Sequence, residues 1–222
     1  MRLLFLLLFG VTGAAILIGL GIWQVQRLAW KEGILAEIDA RIGDAPAPLP
    51  AKPKPETDRY QPVAVSGTFL PGELHVLTSI KNVGPGYLVI APFETETGRR
   101  ILIDRGFVLE TDKDAARMPE PATVEGNLHW PQETDGFTPE PDLARNTWFA
   151  RDVDRMAAAL DTEPVLVIAR SPTGDGVTPI GIDTSAIPND HLNYAITWFS
   201  LAAIWIAMTI HFLWRPRARK TS

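Results

Sequence analysis

The sequence predicts a membrane protein in which two terminal transmembrane α-helices bracket a mainly antiparallel β domain, barrel-like or sandwich-like, with one short helix. No charged residue occurs in residues 3–26 or in residues 191–214, two runs of 24 residues each. About 20 apolar residues of helix cross the hydrocarbon core of a bilayer, so both runs are long enough to span. Between them, β-type runs bounded by turn residues recur roughly every 10 to 14 residues, as in antiparallel hairpins.

The first charge-free run predicts a transmembrane helix over residues 1–26. A cleaved signal peptide is the alternative, but its apolar region is usually about 7 to 15 residues and ends at a small-residue cleavage site. Here the apolar stretch is longer, and Gly21-Ile22-Trp23-Gln24 is a poor cleavage site. We therefore expect an uncleaved anchor that continues as an amphipathic helix over residues 27–43, where apolar and charged residues alternate with helical period.

Residues 44–58 are predicted to be a proline-rich linker, because five prolines in this segment exclude a helix interior and a central strand. The β domain is predicted over residues 59–187. Its candidate strands are Tyr60–Leu70, Leu74–Lys81, Gly86–Glu94, Arg99–Glu110, Thr123–Trp130, Thr147–Arg151, Val165–Arg170 and Val177–Ile182. Asp152–Leu160 predicts the short helix, with Asp152 as its N-cap.

The second span is predicted over residues 190–214, followed by a basic tail at 215–222 that holds Arg215, Arg217, Arg219 and Lys220. Positive residues that flank a span stay on the cytoplasmic side. Arg27 and Lys31 argue weakly against this orientation, but they precede a long loop, and long loops translocate largely regardless of charge. The expected arrangement has both termini in the cytoplasm and the β domain in the periplasm.

Composition excludes several classes of function. All 26 acidic residues lie between Glu32 and Asp190, whereas 16 basic residues lie between Arg27 and Arg170, so the central domain is acidic and nucleic acid is not an expected partner. The absence of cysteine excludes disulfides, thiolate metal sites and covalent haem attachment. Motifs of P-loop enzymes, zinc proteases, serine hydrolases and dinucleotide-binding proteins are absent.

The segment that leaves the first span, Gly21–Lys31, carries the first group of candidate binding residues. Trp23 and Trp30 are seven residues apart and share a helical face, whereas Arg27 and Lys31 are four apart and adjacent on the helix surface. One interpretation is an interfacial belt of aromatic and cationic side chains at headgroup depth, which the residue types alone favour. The other is a basic and aromatic shelf that holds an anionic, planar ligand.

The entry to the second span, Pro188–Phe199, carries the second group. His191, Tyr194 and Trp198 fall at i, i+3 and i+7 on one stripe. One interpretation is again an interfacial belt, joined by a polar seam that packs one span on the other through Asn193, Thr197 and Ser200. The other makes His191 an iron ligand through its neutral imidazole.

Depth in the membrane connects the two groups. If the spans are antiparallel neighbours, His191 and Arg27 lie at the same depth. With that coincidence, one composite binding site and two separate interfacial belts are about equally favoured. His211 is 20 residues further along the second span, about 30 Å from His191, so both cannot bind one iron.

A third segment, Gly84–Tyr87 followed by Ile101–Val108, is interpreted as a Gly-Pro turn and a central strand. Because side chains alternate along a strand, Asp104 and Arg105 are expected on opposite faces of the sheet. A partner-binding surface is the less favoured interpretation.

These segments resemble the Surfeit locus family of cytochrome c oxidase assembly factors, and specifically a bacterial member of that family. The resemblance covers almost the whole chain. It depends mainly on Gly-x-Trp-Gln-x-x-Arg-x-x-Trp-Lys at 21–31 and Asn-x-His-Leu-x-Tyr-Ala-x-Thr-Trp at 189–198, with weaker matches at Gly86-Tyr87 and Arg105-Gly106. The chain departs from the family pattern at Asp104, where asparagine is common, and at Phe107, where tryptophan is common.

The resemblance implies a protein without enzymatic activity that assists biogenesis of a haem–copper cytochrome c oxidase in a bacterial inner membrane. Its implied task is to bind haem a and help insert it into the catalytic subunit, with the histidine at the start of the second span, here His191, binding the iron. The oxidase catalytic subunit is then the expected partner, with the enzyme that synthesises haem a as a further candidate.

To this the residue pattern adds a predicted haem site in which basic side chains pair with the propionates and aromatic side chains flank the macrocycle. The predicted residues are His191, Arg27, Lys31, Trp23, Trp30, Tyr194 and Trp198. Two alternatives stay open. One is a membrane scaffold that stabilises an oxidase assembly intermediate without binding haem, and the other is an envelope enzyme acting through Asp104 with His75 or His129.

Overall fold

A computed structural model describes residues 2–184 and 189–214, apart from the side chain of Arg2. The chain forms two compact units, one of residues Met1–Glu37 with Thr184–Ser222 and one of residues Ile38–Asp183. The predicted basic tail at 215–222 and the last residues of the predicted β domain, 185–187, lie outside the described residues.

The described elements follow the chain in this order. The helices are α1 (Arg2–Ile42), α2 (Pro55–Asp58), α3 (Val153–Leu160) and α4 (His191–Trp214). The strands are β1 (Ala47–Pro48), β2 (Pro62–Phe69), β3 (Leu74–Ile80), β4 (Gly84–Thr95), β5 (Arg100–Leu109), β6 (Pro121–His129), β7 (Thr147–Trp148) and β8 (Leu166–Ala169), with a 3₁₀ turn at Glu110–Asp112.

In the first unit, α1 and α4 are both long and apolar enough to cross a membrane. They pack antiparallel, because residues earlier in α1 contact residues later in α4. A Cβ atom on Gly21 would lie 2.6 Å from the Phe199 ring, and one on Gly13 would lie 2.5 Å from the Trp205 ring. Trp205 donates from Nε1 to the carbonyl oxygen of Gly10 at 3.0 Å. Small residues therefore let the two backbones approach closely, as in many membrane helix pairs.

The interface repeats every seven residues. Gly10, Leu17, Gln24 and Lys31 are buried or half-buried on α1, the spacing of helices that wind around each other with left-handed twist. The expected polar seam of Asn193, Thr197 and Ser200 is wrong, because all three are exposed. The hydroxyl of Thr197 instead donates to the carbonyl oxygen of Asn193 within α4, at 2.8 Å. Apolar and small side chains, with Ala195 and Ala202 buried, make the seam instead.

In the second unit, the strands form one sheet that closes on itself. The sheet order is β1-β2-β6-β8-β5-β4-β3-β7, and β2 also pairs with β4, which closes a barrel of β2, β6, β8, β5 and β4. One strand serves both pairings because β2 is long: its residues Pro62–Thr68 pair with β6, and its last residues, Gly67–Phe69, pair with Phe93–Thr95 of β4. Closure leaves no free edge among these five strands, and β1 on one side and β3 with β7 on the other extend the sheet beyond the barrel.

Alternating side chains fill the barrel. Its interior cluster includes Val63, Phe93, Ile101, Val124 and Val167, all fully buried. A second apolar cluster packs the outer face of β5 and β8 against α3 through Met156 and Leu102. The α3 helix begins as predicted, since the Asp152 side chain accepts from the Arg155 backbone N–H.

One predicted strand differs from the structure. Val177–Ile182 is not a strand, because the pairing stops after the bridge between Thr178 and Phe107. The next residue, Pro179, has no N–H to continue the ladder. Within the proline-rich linker, β1 pairs only at the edge of the sheet beside β2, and Pro55 starts the single turn α2 at a position that tolerates proline.

Candidate functional site

The first residue of α4, His191, is hydrogen-bonded to Gln24 on α1. Its Nδ1 lies 2.7 Å from Gln24 Oε1. Because an amide oxygen only accepts, Nδ1 carries the proton, and a neutral imidazole then has its lone pair on Nε2. Histidines that bind metals commonly donate from the second ring nitrogen to an oxygen in this way, which sets the tautomer and orients the ring.

Helix packing puts Gln24 where His191 needs it. Gln24 lies at an interface position of the seven-residue repeat and is 8% exposed, so its amide lies against α4. An amide buried in an apolar helix pair costs free energy unless it is hydrogen-bonded, and His191 supplies that bond. Two residues before His191, Asn189 buries its Oδ1 with no hydrogen-bond partner in the described structure.

Arg27 lies one helical turn along α1 from Gln24 and stacks on Trp30. The guanidinium carbon of Arg27 is 3.8 Å from the centre of the Trp30 ring. Arg27 is exposed, and Trp23 and Trp30 are each about half exposed. A cation held over an aromatic face keeps its donors available at its edge, so this pair is a ready partner for an anionic group.

Lys31 differs from Arg27. It is half-buried and lies seven residues, one interface repeat, beyond Gln24. This lysine already interacts with another group of the protein. Of the two basic residues that the sequence proposes, Arg27 is thus the one with its charge on the surface.

The aromatic residues divide between the interface and one open flank. Trp198 is half-buried in the helix interface, whereas Tyr194 is exposed. Ile16, seven residues before Trp23, and Leu201, seven residues after Tyr194, line the same cavity. Because seven residues restore the same side of such a helix, Trp23 and Tyr194 lie on one side of the helix pair. The structure thus groups Trp23, Trp30, Arg27 and Tyr194 on that side, next to the His191–Gln24 bond.

Gln24 stands in the signature at residues 21–31, but the predicted haem site does not include it. A polar residue inside a charge-free run is a usable signal, because uncharged polar groups within spans are expected to find partners on neighbouring helices. The described residues contain no group of three or more His, Asp or Glu side chains that could hold a metal ion. A single histidine ligand, such as a haem iron accepts, is compatible with this.

The residues considered for enzyme chemistry in the β domain belong to charge networks. Asp104 is 1% exposed and accepts from Arg151 at 3.0 Å and from the Gly106 backbone N–H at 3.1 Å. Burial raises the pKa of the Asp104 carboxyl to about 6, although Arg151 acts in the opposite direction. Arg151 also binds Glu133, whose pKa is lowered chiefly by that hydrogen bond against the cost of burial.

The two histidines of the β domain have separate surroundings. His75 Nε2 lies 2.8 Å from Glu73 Oε1. His129 stacks on Tyr60, and burial lowers its pKa to about 4. Arg105, on the other strand face from Asp104, binds Thr173 and Asp175. These contacts hold loops to the barrel, and each charged group named here has a structural partner.

Comparison with known proteins gives a consistent result. The model of the SURF1 family matches residues 11–203. Surfeit locus protein 1 of Homo sapiens is 32% identical over 222 residues, covering 89% of this chain and 73% of the relative. A SURF1-like protein of Monosiga brevicollis is 34% identical over 213 residues (86% and 81%), and one of Rickettsia bellii (strain RML369-C) is 32% identical over 200 residues (85% and 82%).

Proposed function

The chain belongs to the SURF1 family, and from this membership we propose that it is a membrane-bound assembly factor for a haem–copper cytochrome c oxidase. Its proposed task is to bind haem a at the ends of α1 and α4 and assist its insertion into the oxidase catalytic subunit. It carries out no turnover chemistry of its own. The observation that carries the haem part of the proposal is the hydrogen bond between His191 Nδ1 and Gln24 Oε1.

The donor set fits a haem. His191 would offer Nε2 as a nitrogen ligand to the iron, with Gln24 fixing the tautomer. Arg27 offers guanidinium donors of the kind that bind carboxylates bidentately, as a propionate requires. Trp23, Trp30 and Tyr194 offer exposed aromatic surface on the same side of the helix pair. When bound, the haem contributes only its iron and macrocycle as cargo, since the electron-transfer chemistry belongs to the oxidase.

The proposed location is a bacterial inner membrane with both termini in the cytoplasm and the β domain in the periplasm. The basic residues after the second charge-free run support this orientation through the preference of positive flanks for the cytoplasm. The proposed partners are the oxidase catalytic subunit and the enzyme that synthesises haem a. The proposed surface for protein contacts is the closed, acidic β domain. The charged side chains considered there for catalysis hold its own loops, so we assign that domain partner binding and no chemistry.

The test is to express the full chain together with haem a synthesis, purify it in detergent and record its absorption spectrum. We expect bound haem in the wild type and in His211→Ala, and loss of haem in His191→Ala. His211 is the matched control because it is exposed near the other end of the same helix. Haem that persists unchanged in His191→Ala contradicts the site.

A scaffold that never binds haem is the second candidate function. It predicts that the oxidase subunit co-purifies equally with the wild type and with His191→Ala, while neither protein contains haem. The enclosed charge networks of the β domain favour partner contact over catalysis in that domain, and so do not separate the two candidates. The paired spectra and co-purification do separate them.

A further inference from the structure

An open groove runs along one side of the helix pair, below the residues proposed to hold the haem. Two cavities of about 330 and 240 Å³ lie on it and share Trp205 and Met208. The first is also lined by Gly13, Ile16, Leu17, Leu201 and Ile204, and the second by Leu6, Phe9, Thr209 and Phe212. Almost every lining side chain is apolar, and Trp205 forms part of both walls.

The groove continues into the candidate haem site. On α1, a stripe with seven-residue spacing passes from Phe9 and Ile16 in the cavities to Trp23 and Trp30. On α4, the matching stripe passes from Met208 and Leu201 to Tyr194. All seven of these side chains are between 42% and 58% exposed, so this side of the helix pair is uncovered along its whole length.

We propose that this groove binds the isoprenoid tail of haem a, an inference that rests on the haem-binding function proposed above. The tail is a hydroxyethylfarnesyl chain attached to the edge of the macrocycle. Its extended length is about 15 Å, taken from carbon–carbon bonds of about 1.5 Å. Ile16 lies eight residues below Gln24, about 12 Å along the helix, and Phe9 lies about 22 Å below it. A tail that starts beside the His191–Gln24 pair therefore reaches the first cavity, whereas Phe9 in the second cavity lies beyond its end.

The shape of the groove depends on the close approach of the helices. Gly13 has no room for a Cβ atom beside the Trp205 ring, and the hydrogen bond from Trp205 Nε1 to Gly10 holds the indole in place. The indole and the small residues beneath it form a fixed surface. Lipid or detergent offers an equally apolar environment, so a chain bound there gains no hydrophobic transfer free energy. What it gains is van der Waals contact with this fixed surface.

Continuity with the candidate site favours a haem tail over an ordinary lipid chain. The occupant must carry a planar, anionic group at its upper end, where Arg27 and the exposed tryptophans lie, and a flexible apolar chain below. Haem a has both parts in one molecule. An acyl chain of a phospholipid fills the cavities equally well but makes no use of His191.

The test compares two haems that differ in the tail. Haem o carries the hydroxyethylfarnesyl chain, whereas haem b has a vinyl group at that position. Each is titrated into the full chain in detergent, and the dissociation constant is read from the absorption change. We expect haem o to bind about tenfold more tightly than haem b, equivalent to about 1.4 kcal/mol.

Groove-filling variants sharpen the comparison. Leu201→Trp should fill the first cavity and weaken haem o to the affinity of haem b, leaving haem b unchanged. Ile206→Trp is the matched control, since Ile206 is a similarly exposed apolar residue of α4 that lines neither cavity, and it should change neither affinity.

The outcomes separate this inference from the proposed function. Equal affinities for haem o and haem b, both insensitive to Leu201→Trp, overturn the tail groove and leave the haem site standing, with lipid as the occupant. Absence of binding by either haem overturns the proposed function itself. Loss of both haems in Leu201→Trp also contradicts the inference, because the tail then is not the part affected.

Discussion

The buried carboxyl of Asp104 makes the stability of this protein depend on pH in a way that can be calculated. Burial raises its pKa from the usual 3.8 to about 6 in the folded protein. Between these two values the folded state holds a proton that the unfolded state has lost, so the folded state is favoured at lower pH. As pH rises through 6, the carboxyl ionises inside the barrel wall and this stabilisation is lost.

Replacing Asp104 with asparagine removes the titration and retains an oxygen that can accept from the Gly106 N–H. One pKa unit corresponds to about 1.36 kcal/mol. Between pH 4.5 and pH 7.5 the wild type should therefore lose about 2 kcal/mol of unfolding free energy relative to Asp104→Asn. Comparing the two proteins cancels, to first order, the contributions of His129 and Glu133, whose lowered pKa values favour the folded state as pH rises.

The assay is urea unfolding of the full chain in detergent, followed by near-ultraviolet circular dichroism at both pH values. A change of about 2 kcal/mol corresponds to about 1 M in the urea midpoint for a slope of about 2 kcal/mol per molar. Asp161→Asn, at an exposed carboxylate, is the matched control and should show no such trend. A difference between wild type and Asp104→Asn that stays constant with pH refutes the reasoning.

Three further predictions concern packing and topology. Gly13→Leu should destabilise the helix pair by about 1 to 3 kcal/mol through overlap with Trp205, seen as a lower thermal midpoint in detergent, and an unchanged midpoint contradicts the close packing. Asp152→Ala should cost about 1 kcal/mol in urea unfolding by removing the α3 cap, with Asp152→Asn as the control that retains it. Because the chain has no cysteine, Leu143→Cys in intact cells should react with a membrane-impermeant maleimide and Thr221→Cys should not. The reverse labelling contradicts the proposed orientation.

Much of the fold follows from local pattern. Alternation and turn residues place β2 to β6 and β8 within a few residues of their observed ends, because apolar runs bounded by turn residues mark strands even where both faces are buried, as in β5 and β8. The capped α3 follows from Asp152 and the alanines behind it. Barrel closure does not follow, since it depends on the end of β2 pairing with β4 as well as β6, a contact that no local pattern encodes.

The candidate site divides in the same way. The motifs single out His191, Arg27 and the aromatic residues because their types are unusual where a helix enters or leaves a charge-free run. The partner of Gln24 and the open groove become visible only when the seven-residue repeats of α1 and α4 are brought together. The assignment of Val177–Ile182 as a strand failed because its apolar pattern outweighed the missing N–H of Pro179, and the pairing of Asp104 with Arg151 joins residues 47 positions apart.

The central claim is that Gln24 orients His191 to bind a haem iron through Nε2. Its most direct test is the dissociation constant of haem for the full chain in detergent, measured by absorption titration for wild type, Gln24→Leu and Gln26→Leu. Gln26 is exposed on the same helix and serves as the control. We expect affinity about 10 to 100 times weaker in Gln24→Leu and unchanged in Gln26→Leu. Wild-type affinity in Gln24→Leu would contradict it.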